Sequence, residues 1–214
     1  MSGPGPTPEI YVSTDIEADG PCPGIFSMLS FGMAAFTIDK RLIGTFSRNL
    51  LPLDGARQDD RTMTWWTTGD RIEAYRKSRD GAMDPGQAMR ECRDWFESLK
   101  RYGRPILCGA PSGFDFTFIY YYFQRELGVS PVGFACLDLR SYAAAVLKRQ
   151  YRQVGKNSFP AGWIDDGLPH THVALDDALE QGCILINMLR DNLGLEPVDA
   201  FIDERESLRF SPAG

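Results

Sequence analysis

An apolar and β-branched run, Ile10-Tyr11-Val12-Ser13-Thr14, ends on two acids spaced two apart, Asp15 and Glu17. Ile10 to Asp15 reads as a buried strand. Side chains alternate between the faces of a strand, so Asp15 and Glu17 point the same way. At a strand end that shared face can carry two oxygen ligands converging on one cation. Carboxylates suit hard divalent ions such as Mg²⁺ or Mn²⁺. The pair alone is a weak signal, because two exposed acids at a strand end look the same. Its place, where a central strand meets its loop, is one that function favours.

The rest of the chain supplies a sheet for that strand. Ile25 to Phe36 is a second β-like run and Arg41 to Asn49 a third, with Asp39-Lys40 as a turn, so the chain opens as an antiparallel meander. Arg61 to Lys77 turns helical. Asp84 and Pro85 read as N-cap and first helical position for a helix from Gln87 to Lys100. Pro105 to Gly109 is a short strand, Phe114 to Leu127 a helix, Gly133 to Leu139 a strand and Ser141 to Tyr151 a helix. Arg152 to His170 is irregular, and Ala174 to Leu193 is the last helix. The pattern predicts an α/β fold, a mixed sheet of about five strands flanked by helices. Residues 1–8 read as a Gly/Pro-rich lead, 9–195 as one domain and 196–214 as a C-terminal surface extension. With 214 residues, 43% of them hydrophobic, the chain can bury a core of that size.

Two further stretches carry chemistry. Asp115 falls in the first turn of the helix that follows the Pro105–Gly109 strand, where the helix dipole favours an acid in any case. Phe114, Phe118 and Ile119 would bury that helix against the sheet. Near the end, His172 is followed five residues later by Asp177, with Asp176 as a solvent-facing neighbour. The only other histidine is His170, which has no assigned role. Together the stretches supply four carboxylates and one imidazole, the ligand set of a two-metal phosphodiesterase with a histidine base.

The order and spacing of Asp15-Ile16-Glu17, Asp115 and His172 with Asp177 resemble the DEDDh branch of the 3′–5′ exonucleases, in the ribonuclease H-like superfamily. The resemblance runs from about Glu9 to about Asn192. It implies a ribonuclease H-like sheet, with Asp15, Glu17, Asp115 and Asp177 as catalytic ligands of two divalent cations, Mg²⁺ or Mn²⁺, and His172 as general base. It implies release of nucleoside 5′-monophosphates from the 3′ end of a single strand. In the family the segment after the acidic pair lines the terminal nucleotide. Ala18 would offer backbone contacts to the 3′ hydroxyl, and Phe26 or Met28 would press on the last base; Trp66 and Phe114 are further candidates for substrate contact. Ile25, Phe26 and Met28 also read as plain strand residues, and Trp65-Trp66 as a pair split between core and surface, although an exposed tryptophan can stack a base. Thr64-Trp65-Trp66 resembles the short exoribonucleases of bacteria and phage. RNA is therefore expected before DNA, with a DNA-directed enzyme and a non-catalytic 3′-end-binding module as the alternatives. Related short enzymes are often homodimers, and the resemblance allows one here.

Composition narrows the partners. A net charge of −6 argues against a protein that coats nucleic acid, since phosphate binding needs a basic face. The clearest basic cluster, Lys148, Arg149, Arg152 and Lys156 around Tyr151, reads equally as a phosphate grip or a solvated helix end. Four acids in one cleft repel, so their pKa values are expected to be raised and coupled without metal. Asp138, Asp165 and Asp166 are assigned to capping or the surface. Five scattered cysteines with no CxxC pair suggest a reduced, cytoplasmic setting. Neither a signal peptide nor a membrane span is expected.

Overall fold

Strands β1 (Glu9–Ala18), β2 (Met28–Phe36) and β3 (Arg41–Asn49) form the antiparallel meander. β4 (Arg104–Gly109) runs parallel to β1, and β5 (Leu137–Asp138) adds to β4. β6 (Ile202–Asp203) pairs with β3, giving the order β5-β4-β1-β2-β3-β6. The computed structural model describes residues 7–205, so residues 1–6 of the expected 1–8 lead and residues 206–214 of the expected 196–214 extension lie outside the described residues. Helices α1 (Asp60–Trp66), α2 (Arg71–Arg79), α3 (Pro85–Ser98), α4 (Ser112–Leu127), α5 (Leu139–Val146) and α6 (Ala174–Asn192) cover the sheet. Among the described residues no helix is long and apolar enough to cross a membrane.

β2 is buried along its whole length, because both faces of the sheet are covered. On β1, Ile10, Val12 and Ile16 point into one core, with Phe96 of α3 and Phe118 of α4. Tyr11 points into the other, with Ala178 and Leu185 of α6. The period of two then decides where the acids go. Asp15 and Glu17 share Tyr11's face, and that face belongs to α6.

Two glycines let α6 lie close on the sheet. A Cβ on Gly32 of β2 would overlap the backbone of Ala174 and Leu175, and one on Gly182 of α6 would overlap the Phe36 ring. Gly32 stands opposite Asp15 in the β1–β2 register. The first turn of α6 is thus seated over the strand position that carries the first acid.

Several boundaries differ from the sequence expectation, each for a local reason. β2 begins at Met28, because Ile25 and Phe26 belong to a turn in which the Phe26 N–H donates to the Cys22 carbonyl and Gly24 has φ of 85°. The helical stretch from Arg61 splits into α1 and α2, with Gly69 at φ 71° between them. Of the expected Gly133–Leu139 strand, only Leu137 and Asp138 pair with β4. The helix expected at Ser141–Tyr151 starts at Leu139 and stops at Val146. Past Pro197 the chain is not a bare extension, since Ile202 and Asp203 add the sixth strand. Asp165, assigned to capping or the surface, pairs instead with the buried ammonium of Lys40 at 2.9 Å. Lys40 Nζ also donates to the Val198 carbonyl, so it stitches the β2–β3 turn to two distant loops.

The seating of α6 has a direct test. Gly32→Ala should destabilise the protein by about 1–3 kcal/mol in urea unfolding, because a backbone contact has to give. A change within about 0.5 kcal/mol, typical of an uncrowded site, would show that α6 does not rest there.

Candidate active site

Asp177 sits in the first turn of α6 and comes down on the acids of β1. One oxygen from each of Asp15, Glu17 and Asp177 lies within 4.8 Å of the others. Asp115 reaches the same place from the first turn of α4. Its Oδ1 accepts from the Ile16 N–H at 3.3 Å, so the peptide between Asp15 and Glu17 is tied to the third acid. Asp115 is only 3% exposed, and its Oδ2 is buried with no hydrogen-bond partner. That oxygen has room because residue 109 is glycine; a Cβ there would stand 2.8 Å from it. The start of α4 is fixed by Asp138, whose Oδ2 accepts from the Ser112 N–H at 2.9 Å while its Oδ1 caps α5 through Ser141. Asp138 therefore caps, as its position in the sequence suggested.

Backbone amides hold Asp177. Its Oδ1 accepts from Thr171 N–H at 2.8 Å and its Oδ2 from His172 N–H at 3.2 Å. These bonds turn the incoming loop over the helix start and hold His172 at φ 58°, a conformation that costs a non-glycine residue about 1–2 kcal/mol. The His172 ring meets Trp65 edge to face at 5.1 Å and His170 at 4.7 Å. Burial moves His172 below its usual pKa, and the neighbouring His170 adds to the shift. The ring is thus neutral at pH 7, with a lone pair to accept a proton.

The acids move the other way. Burial raises Asp15 well above the ordinary carboxylate range, and the charges of Asp115 and Asp177 raise it further. Glu17 is raised by burial and then by Asp15. Burial pushes Asp115 up to about 7. Asp177 is also raised by burial, although the Thr171 N–H holds it back. Gln181 of α6 donates to Asp15 Oδ1 at 2.8 Å, a small counterweight. A set of hard oxygens, crowded, hard to ionise and with one atom unpartnered, fits a hard divalent cation.

The expected substrate residues divide. Ala18 ends β1 beside the acids, and its carbonyl accepts from Trp66 Nε1 at 2.9 Å. Trp66 itself is 1% exposed, so it braces Ala18 from behind and has no ring face for a base. Met28 is likewise buried in the core, where its N–H donates to Tyr122 Oη, which removes it as a base contact. Phe26 is half-buried against Gly20, and Phe114 is exposed beside Phe118. The exposed ring next to His172 is Trp65, with the Arg71 guanidinium 4.7 Å from it. Trp65 lines a surface cavity of about 390 Å³ with Pro21, Asp59, Arg61 and Thr62. Sequence reasoning placed Trp66 rather than Trp65 at the substrate, since adjacent residues give no sign of which turns inward. It also left His170 unassigned, although its Nδ1 lies 3.1 Å from Asp177 Oδ2. All four residues of the basic cluster, Lys148, Arg149, Arg152 and Lys156, are exposed, and Lys156 also pairs with Glu180 of α6.

No protein-family model matches the chain. Over 175 residues it is 34% identical to the 3′–5′ DNA exonuclease Cap18 of Escherichia coli, an alignment that takes in 81% of this chain and 88% of that protein. The nuclease domain of 3′hExo, a DEDDh family member bound to rAMP, has the same fold, with a TM-score of 0.64 at 17% identity over 90% of this chain and 96% of that one. The zinc-ion-bound form of an E. coli ExoI–ssDNA complex matches at a TM-score of 0.59 and 13% identity, over 87% of this chain and 41% of that one.

The raised acids make stability depend on pH in a known sense. Asp115 holds its proton to about pH 7 in the folded protein, against a usual value of 3.8. Between those values the unfolded chain gives up the proton first, so metal-free protein loses stability as pH rises. Asp115→Asn removes that loss. In EDTA at pH 8 the variant should melt above the wild type, and Mn²⁺ should raise the melting temperature of the wild type more. A variant that melts below the wild type under those conditions would contradict the charge crowding.

Proposed function

The chain belongs to the DEDDh family of 3′–5′ exonucleases, and from that membership we propose a two-ion phosphodiesterase that trims single-stranded DNA from its 3′ end and releases nucleoside 5′-monophosphates. The observation that carries the reading is the meeting of Asp15, Glu17 and Asp177 beside an Asp115 with an unpartnered buried oxygen. These four carboxylates would hold two divalent cations, Mg²⁺ or Mn²⁺. When bound, such ions make water a better nucleophile and stabilise charge on the leaving oxygen. The rest falls to the chain. His172, neutral and braced by Trp65, accepts the proton of the attacking water. The new bond joins the water oxygen to phosphorus, the bond from phosphorus to the 3′ oxygen breaks, and that oxygen ends protonated. Ala18, fixed by Trp66, presents backbone to the terminal sugar.

DNA replaces RNA as the favoured substrate. The relative that shares 34% of its residues over most of both chains is named a DNA exonuclease. The expectation of RNA rested on Thr64-Trp65-Trp66. Packing accounts for two of these residues, since Thr64 Oγ1 donates to the Asp60 carbonyl and Trp66 to that of Ala18, and neither contact bears on a 2′ hydroxyl. Acidic residues outnumber basic ones, 29 to 23, which suits a grip on a short stretch rather than a coat.

Matched short DNA and RNA strands, labelled at either end and incubated in Mn²⁺ or EDTA, test this. Metal-dependent shortening from the 3′ end is expected, with DNA the faster. Asp177→Asn should slow it at least about a thousandfold. Undiminished cleavage by that variant would sink the site, and faster cleavage of RNA would reverse the sugar assignment.

A further inference from the structure

His170 lies outside the hydrolytic set, yet it faces two acids of α6. Its Nδ1 stands 3.1 Å from Asp177 Oδ2 and 3.5 Å from Glu180 Oε2. Its ring meets that of His172 edge to face at 4.7 Å, and ligand atoms of His170, His172 and Asp177 all lie within 4.8 Å of one another. Two ligands on a tetrahedral ion, with bonds of about 2.0–2.1 Å, stand about 3.3 Å apart. The two distances from His170 straddle that separation. We propose that His170, His172, Asp177 and Glu180 form a second metal site, one that takes a borderline transition ion such as Zn²⁺ and, by doing so, shuts off hydrolysis.

The chemistry of the donors separates the two centres. Asp15, Glu17, Asp115 and Asp177 offer oxygen alone, which suits Mg²⁺ or Mn²⁺. The second set offers two imidazole nitrogens and two carboxylates, a mixture that Zn²⁺ prefers. Three of its four donors are already gathered, and Glu180 faces His170 from outside that group. Asp177 and Glu180 are three apart on α6 and so share a face. Lys156 contacts Glu180 through Oε1, which leaves Oε2 toward His170. The His170 side chain is 48% exposed, so an ion reaches it from solvent without opening the core.

Asp177 belongs to both sets, and His172 is the proposed base. An ion in the second site would occupy the lone pair that His172 needs for the water proton, and it would draw on a carboxylate of the hydrolytic centre. The shut-off therefore rests on the role proposed for His172, whereas the site itself rests on geometry.

Zinc uptake, measured by calorimetric titration in excess Mg²⁺, separates the two. The wild type should bind Zn²⁺ at least about tenfold more tightly than His170→Gln. His170→Cys, which restores a zinc ligand, should recover most of the difference. Circular-dichroism melts of both variants check that they fold. Equal zinc affinity in the wild type and His170→Gln would overturn the site, as would failure of the cysteine to rescue a folded protein. Exonuclease rates in the same buffers should show that His170→Gln needs at least about tenfold more zinc for half inhibition. Zinc bound through His170 with no slowing of cleavage would overturn the shut-off. Nucleotide release absent even in Mg²⁺ alone, with zinc uptake still dependent on His170, would instead count against the hydrolase reading.

Discussion

Carboxylates of like charge repel, and a centre built from four of them has to be assembled by the rest of the chain before any cation arrives. Nearly every unusual feature around Asp15 opposes that repulsion. The Ile16 N–H ties Asp115, and the Thr171 and His172 N–H groups tie Asp177. Gln181 holds Asp15. Each bond favours the charged form of its acid, and together they fall short, since all four acids stay raised. The shortfall is what suits the cluster to a divalent cation rather than to a stable metal-free network.

The scaffold behind those bonds is long-range. β1 delivers two acids to one face by its period of two, and α6 covers that face because Gly32 and Gly182 admit it. Asp115 depends on the other side of the sheet, where Asp138 fixes the first residue of α4. Ala18 depends on Trp66, which is buried 48 residues further along the chain. Lys40 ties the loop that runs toward His172 back to the β2–β3 turn. The site is thus a junction of both cores, and a change in either is felt there.

What could be read in the sequence follows the range of each interaction. β1, β3, β4, α4 and α6 announce themselves through local periodicity and caps, and the spacing of Asp15, Glu17, Asp115, His172 and Asp177 survives because each acid sits at the end of one of those elements. β5 and β6 have two paired residues each, and only their neighbours make them strands. The break at Gly69 lay hidden in a run with helical spacing. Burial of Trp66 rather than Trp65, and of Lys40 in a turn, is decided by partners more than a hundred residues away in the case of Lys40, beyond the reach of any window. Met28 and Trp66 were sensible substrate candidates by chemistry, and packing claimed both. His170 carried a signal, its place two residues before His172, but no local pattern reveals that α6 brings Glu180 to it.

The most direct measurement is a count of Mn²⁺ ions on the wild-type chain by electron paramagnetic resonance, beside Asp15→Asn. Two bound ions, coupled to one another and lost together in the variant, are the result expected of a two-ion centre. No bound Mn²⁺, or binding that Asp15→Asn leaves untouched, would contradict the claim that these four acids are the heart of the protein.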